Sequence, residues 1–380
     1  MDFALSQEHL MARDLFRSFA QNEVKPLAQE IDEEERFPSE SVAKMAKLGF
    51  MGIAVPKQYG GQGCDYLTYT MCVEELAKVC GTTAVVLSGH TSLCQMPILH
   101  FGTEAQKQKY LVPLAKGETL GAFGLPEPGA GTDAAGQATK AVLDGDEWVI
   151  NGTKVFITNG YYADTYIVFA STDKSLGRKG ISAFIVEKGT PGFTFGTKEK
   201  KMGIRGSATY ELVFTDCRIP KENLLGRLGE GYKIAMDTLD GGRIGIAAQA
   251  LGLAEGALEV TCDYVKTRKQ FGKTLGQFQN TQFQLADMAT RCDAAQLLVY
   301  RAAIEHDAPK KGNGTASSMA KLYAAETAMY VTTKAVQLHG GYGYIRDYDV
   351  ERMMRDAKIT EIYEGTSEVQ RMVIAKNLLK

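Results

Sequence analysis

Near the C-terminus a single carboxylate, Glu364, stands between Tyr363 and Gly365, just ahead of an apolar-periodic run containing Val369, Met372, Val373 and Leu378. Two readings suit a glutamate so placed. Held on a rigid turn whose glycine lets a ligand approach closely, it is a base able to take a proton from carbon. Equally, a carboxylate before a helix complements the positive end of the dipole and does no chemistry. Ser367 and Gln370 have capping-box spacing, which predicts where that helix starts. The turn by itself leaves both readings open.

Other stretches have residue types that suit a ligand. Leu125-Pro126-Glu127-Pro128-Gly129-Ala130-Gly131-Thr132-Asp133 is a proline-stiffened, glycine-rich loop. It can present backbone N–H groups and the Thr132 hydroxyl to an acceptor-rich ligand, or be a set of ordinary turns. Phe156 and Thr158, two residues apart, share a strand face, so a ring and a donor could meet a planar cofactor. A half-buried strand alternates in the same way. Arg268-Lys269-Gln270-Phe271-Gly272 and Gln337-Leu338-His339-Gly340-Gly341-Tyr342-Gly343 each close a long helix. A cation and a glycine-rich backbone suit a pyrophosphate, although helix termination accounts for each segment separately. Two resemblances to nucleotide motifs fail. Gly272-Lys273-Thr274 lacks the P-loop's upstream glycine, because position 267 is Thr267. The glycines from Gly129 to Gly136 lack G-x-G-x-x-G spacing and do not follow a strand in a βαβ unit, so a nicotinamide site of the Rossmann type is not expected.

The elements that must position these residues fall into three regions. Residues 1–118 have helical periodicity, at Leu10 to Phe19, Ser41 to Leu48 and Tyr69 to Val79. Residues 119–228 switch toward a period of two, with strands predicted at Glu147 to Ile150, Lys154 to Thr158, Tyr166 to Ala170, Ile181 to Val186 and Tyr210 to Phe214. Asn151-Gly152 predicts a tight hairpin turn between the first two strands. Residues 229–380 return to long helices at Arg243 to Thr267, Phe278 to Glu305, Ser317 to His339 and Glu368 to Leu379. Helices, then strands, then helices predict an α+β architecture of separate domains.

Composition narrows the function classes. The 380 residues are 44% hydrophobic with a formal net charge of -2, which excludes a basic nucleic-acid-binding chain or an acidic tail. Met1-Asp2-Phe3 runs into an amphipathic segment without an export signal, and no apolar run is long enough to span a membrane, so a cytoplasmic location is expected. The cysteines (Cys64, Cys72, Cys80, Cys94, Cys217, Cys262 and Cys292) are odd in number and form no C-x-x-C pair. Neither a disulfide framework nor a metal site is expected.

Read together, Glu127 through Asp133, Trp148 through Asn159, Arg268 through Gly272, Gln337 through Gly343 with Asp347, Arg352 and Asp356, and Tyr363-Glu364-Gly365-Thr366 resemble the motifs of the acyl-CoA dehydrogenase family. The resemblance runs along essentially the whole chain and is closest to short-chain, butyryl-CoA-type bacterial members. It implies an N-terminal helical domain, a middle β-barrel and a C-terminal four-helix bundle, bound FAD and a homotetramer. On the same basis Phe123, Leu125, Thr132, Phe156 and Thr158 border the flavin. Arg268, Phe271, Gln279, Gln337, Gly340 and Gly341 reach the FAD of a neighbouring subunit, and Thr366 and Glu368 contact its adenosine end. Thr132, Asp240, Gly241, Gly242, Arg243 and Gly365 line the acyl-CoA site. Glu364 matches the family's base; some relatives place the base where this chain has Gly242, which has no side chain to serve. The implied reaction removes the α-proton and β-hydrogen of a short acyl-CoA and passes electrons to electron-transfer flavoprotein. Medium- or branched-chain preference, an acyl-CoA or nitroalkane oxidase on the same fold, and a non-catalytic flavin-binding subunit are the competing readings. One position departs from the family: Pro126 replaces the usual Thr or Ser and offers neither hydroxyl nor N–H.

Overall fold

A computed structural model describes residues 4–308 and 314–380. Met1-Asp2-Phe3, the start of the segment read for an export signal, lies outside the described residues. The helix Gln7–Phe19 begins at Ser6, whose hydroxyl accepts from the His9 N–H, and it buries Phe16 and Phe19. The helix Tyr66–Ala77 is capped by Asp65, which accepts from the Thr68 N–H at 2.8 Å, and every one of its residues is buried. A helix that is apolar on most faces belongs in the middle of a molecule. It is followed by the buried helix Gly81–Ser88 and a π-helical stretch, Gly89–Gln95.

The strands follow: β1 (Gly121–Gly124), β2 (Lys140–Asp144), β3 (Glu147–Thr158), β4 (Thr165–Ser171), β5 (Ile181–Glu187), β6 (Phe193–Lys198), β7 (Thr209–Pro220) and β8 (Leu224–Leu225). They form one eight-stranded sheet in the order β6-β7-β3-β2-β4-β5-β8, with β1 parallel to β4. This sheet is the expected middle barrel. It encloses its own core of Trp148, Ile150, Tyr166, Phe184, Phe193 and Phe214, separate from the core shared by the helices.

Beyond it the chain is helical again, at Gly231–Thr267, Gln279–His306, Thr315–His339, Asp349–Lys358 and Ser367–Leu378. Among the described residues no helix is long and apolar enough to cross a membrane. All seven cysteines are free.

Two local expectations are overturned. Asn151-Gly152 is not a hairpin turn, because β3 runs unbroken through it and pairs with β7 on both sides. The bulge at this point belongs to β7, where Thr215 and Asp216 together oppose Asn151, seen as a register shift between Ile150 and Gly152. Asn151 trades side-chain hydrogen bonds with Asp216 across the strands, and a Cβ at Gly152 would sit 2.7 Å from Thr139 Cα. Glycine here allows the close approach of the Thr139 backbone. The capping box is also misplaced. Thr366, not Ser367, caps the last helix by accepting from the Val369 N–H, and the Gln370 amide donates backwards to Gly365 O at 2.8 Å.

Candidate active site

Glu364 and Gly365 both have left-handed backbone, with φ of 53 and 95°. Glycine takes such angles freely; a glutamate does so at a cost, which is common where geometry serves function. The turn is held from behind. Gly365 O accepts from Lys321 Nζ at 2.6 Å as well as from Gln370, and Tyr363 donates its hydroxyl to Gln249 Oε1. The residue is half-buried, yet Glu364 Oε2 is sealed from solvent and has no hydrogen-bond partner among the described residues. Its backbone N–H likewise has no acceptor there. Burial pushes the carboxyl up to about 7, against the opposing pull of the cations Lys321 and Arg243. A carboxylate that is poised near neutrality and free of partners can exchange a proton.

The facing wall is the helix Gly231–Thr267. A Cβ added at Gly242 would collide with Glu364 Oε2 and stand 2.9 Å from Leu93 Cδ2. The backbone of this helix therefore lies directly against the carboxylate. One residue earlier, Gly241 O accepts from the Tyr66 hydroxyl at 3.0 Å. One residue later, Arg243 is buried and paired with Asp240 at 2.5 Å. Of the expected substrate residues, Asp240 to Arg243 and Gly365 thus gather at Glu364, whereas Thr132 is exposed on its loop.

Phe123, Leu125, Phe156 and Thr158 lie on two adjacent segments, β1 with its following loop and the end of β3. The Val155 N–H donates to Pro126 O at 2.9 Å, joining them. Beneath the join, fully buried Lys154 donates to Leu125 O at 3.2 Å, Gln137 Oε1 at 3.0 Å and Glu127 Oε1 at 2.7 Å. Burial lowers Lys154 to about 8, while Glu127 pulls it the other way. Asn159 ties the same edge to the helices, donating to Val86 O and Gly121 O, both at 3.2 Å. Phe156 has φ 59° at a second bulge and is 64% exposed. Gly129 and Gly131 have open space where a Cβ would lie. A bare ring and an uncovered glycine-rich loop side by side fit a flat, acceptor-rich cofactor such as a flavin.

Arg268, Gln337, Gly340 and Gly341 line a separate cavity of about 470 Å³. The Arg268 guanidinium lies 5.1 Å from the Tyr342 ring, and neither glycine meets anything where a Cβ would be. A cation beside open backbone fits a pyrophosphate. Phe271, 92% exposed, and exposed Gln279 stand outside that lining, and Glu368 is exposed at the start of the last helix. Sequence reading missed two fully buried lysines, Lys321 and Lys154. Lys321 had a visible signal, since it sits on the stripe formed by Ala324, Ala325 and Ala328, where an apolar residue belongs. Lys154 is in phase with buried Trp148 and Ile150 along β3, a signal hidden when Asn151-Gly152 is taken for a turn between two strands.

Known proteins resemble this chain along its whole length. Three family models match in order: acyl-CoA dehydrogenase N-terminal domain at residues 6–118, middle domain at 122–217 and C-terminal domain at 229–379. The short-chain specific acyl-CoA dehydrogenase of Clostridium acetobutylicum is 60% identical over 380 residues, covering 100% of both chains. The solved butyryl-CoA dehydrogenase of Megasphaera elsdenii superposes with TM-score 0.98 at 52% identity, again over 100% of both. A chain in the solved structure of the electron transferring flavoprotein of Acidaminococcus fermentans, described in terms of flavin-based electron bifurcation, has TM-score 0.98 at 55% identity over 100% of both. With every domain matched in sequence order and relatives alike from end to end, the chain belongs to the acyl-CoA dehydrogenase family of enzymes.

Proposed function

We propose that this protein dehydrogenates short-chain acyl-CoA at the α,β bond, interconverting butyryl-CoA and crotonyl-CoA, with Glu364 as the base for the α-proton. The observation that carries this is the sealed, unpartnered Glu364 carboxylate at about 7, on a strained turn facing the bare backbone of Gly242. A thioester α-proton is weakly acidic, so its carbonyl must be polarised as the proton leaves. The backbone N–H of Glu364, which has no acceptor among the described residues, is the donor this chain offers for that task. The turn keeps the carboxylate oriented, and burial keeps water from competing for it.

FAD fits the uncovered surfaces. Phe123, Leu125, Thr132, Phe156 and Thr158 would hold its ring, with Arg268, Phe271, Gln279, Gln337, Gly340 and Gly341 contributed by a neighbouring subunit of a homotetramer, and Thr366 and Glu368 at the adenosine end. Bound there, the flavin supplies the acceptor for the β-hydrogen. Electrons would then pass to electron-transfer flavoprotein, a reading supported by the likeness to a chain from such a protein's structure. The short-chain preference rests on the named relatives.

Glu364→Gln tests the proposal. The variant should retain flavin yet bleach with butyryl-CoA on the order of 10²–10⁴-fold more slowly under anaerobic conditions. Full-speed bleaching by the variant would sink the assignment of the base. A wild-type protein whose flavin no acyl-CoA reduces would instead be a flavin-binding scaffold, and peroxide formed at the rate of dehydrogenation would identify an oxidase.

A further inference from the structure

Lys321 lies on the helix Thr315–His339 and is 0% exposed. Its ammonium has one hydrogen bond, to Gly365 O, and among the described residues it forms no salt bridge. Burying an ammonium with so little compensation is costly, so a charge elsewhere must justify it. The charged groups facing it come from four places. They are Glu364 on the turn, Arg243 from the helix Gly231–Thr267, Glu361 from the single turn Ile359–Glu361, and Glu368 from the helix Ser367–Leu378.

Three of these are otherwise occupied or ill placed. Arg243 is itself a cation and is paired with Asp240, Glu361 is bonded by Lys358 at 2.6 Å, and Glu368 is exposed to water. Glu364 is the remaining carboxylate, and its Oε2 has no partner among the described residues. The other titratable groups near Glu364 are the phenols of Tyr66 and Tyr69 on the helix Tyr66–Ala77 and of its neighbour Tyr363, all held protonated by burial.

We propose that Lys321 is a positioning residue for the base, pinning the left-handed turn through the Gly365 carbonyl and supplying the buried positive charge that keeps Glu364 ionised once substrate has displaced water. The inference rests on Glu364 being that base. When Glu364 accepts the α-proton it becomes a neutral acid, and Lys321 keeps its own proton throughout. Burial lowers Lys321 to about 8 against the pull of Glu364, so the ammonium is still charged as Glu364 titrates near 7.

The test uses flavin-loaded protein and two readouts. One is the carboxylic-acid infrared band that Glu364→Gln abolishes, followed against pH without substrate. The other is the acid limb of the pH profile for bleaching by butyryl-CoA. In Lys321→Met both should move up by on the order of one pH unit, so that bleaching below the limb slows about tenfold. Lys321→Arg, which keeps the charge, should leave both near their wild-type positions. Loss of turn rigidity alone would slow bleaching at every pH without moving either. An unmoved band and limb in Lys321→Met would therefore overturn the proposal. Lys321→Gln is read by the same criteria if the methionine variant does not load flavin. Failure of the base reading looks different, since Glu364→Gln would then bleach normally and keep its acid limb.

Discussion

At the scale of single residues, the features that ready Glu364 for chemistry also cost stability. Its carboxyl rises from the ordinary range to about 7 on folding, so between these values the folded state holds a proton that the unfolded chain has lost. Stability from this group is full below the unfolded value and falls as pH rises toward about 7. Glu364→Gln removes that loss. The variant should gain stability over wild type, by on the order of 2 kcal/mol, at about pH 8 and much less at about pH 5. Thermal melting of the two proteins at both pH values checks this. An advantage that does not grow with pH would mean the carboxylate is not strained in the fold. Gly365 completes the turn at φ 95°, an angle that no side-chain-bearing residue adopts easily, so its place beside the proposed base is fixed by backbone geometry.

At the scale of elements, β1, its loop and β3 act as a unit because Lys154 holds them from below. It joins Leu125 O, Gln137 and Glu127, while Glu127 also accepts from the N–H groups of Ala138 and Thr139. Breaking a buried ion pair by removing one partner leaves the other charge in the interior. Lys154→Met should therefore cost about 3 kcal/mol in chemical denaturation and loosen flavin retention, and adding Glu127→Gln should recover part of the loss. This level also shows what the sequence could disclose. The long helices and four of the eight sheet strands (β3, β4, β5 and β7) were legible because hydrophobic period is a local property, and the turn at Glu364 was legible because Gly365 and the following helix adjoin it. Asn151-Gly152 misled because its preference for a tight turn is local, whereas the pairing of β3 with β7 is not. Lys321 and Gly365 are 44 positions apart, and no local pattern announces their bond. Gly242 against Glu364 was legible only as a missing side chain at the position where some members of the family are expected to have their base, not as a contact.

At the scale of the whole molecule, the residues expected at one flavin occupy two separate regions. Glu364 and Gly242 face each other inside, whereas Arg268, Gln337, Gly340 and Gly341 line their own cavity, beside a Phe271 ring that is 92% exposed. A ring so bare is an apolar surface that wants a neighbour, and the proposed tetramer supplies one. The separation has a genetic consequence. If each active site takes its base from one chain and its pyrophosphate cavity from the next, a Glu364→Gln chain and an Arg268→Ala chain are defective in different halves. In a mixed pair one site receives both faults and the other receives none. Two alleles that are each inactive alone should thus restore a measurable fraction of butyryl-CoA dehydrogenation when co-expressed, and mixing the separately purified, non-exchanging proteins should not. Complementation between two lesions of one gene would then follow from where a single chain puts its arginine.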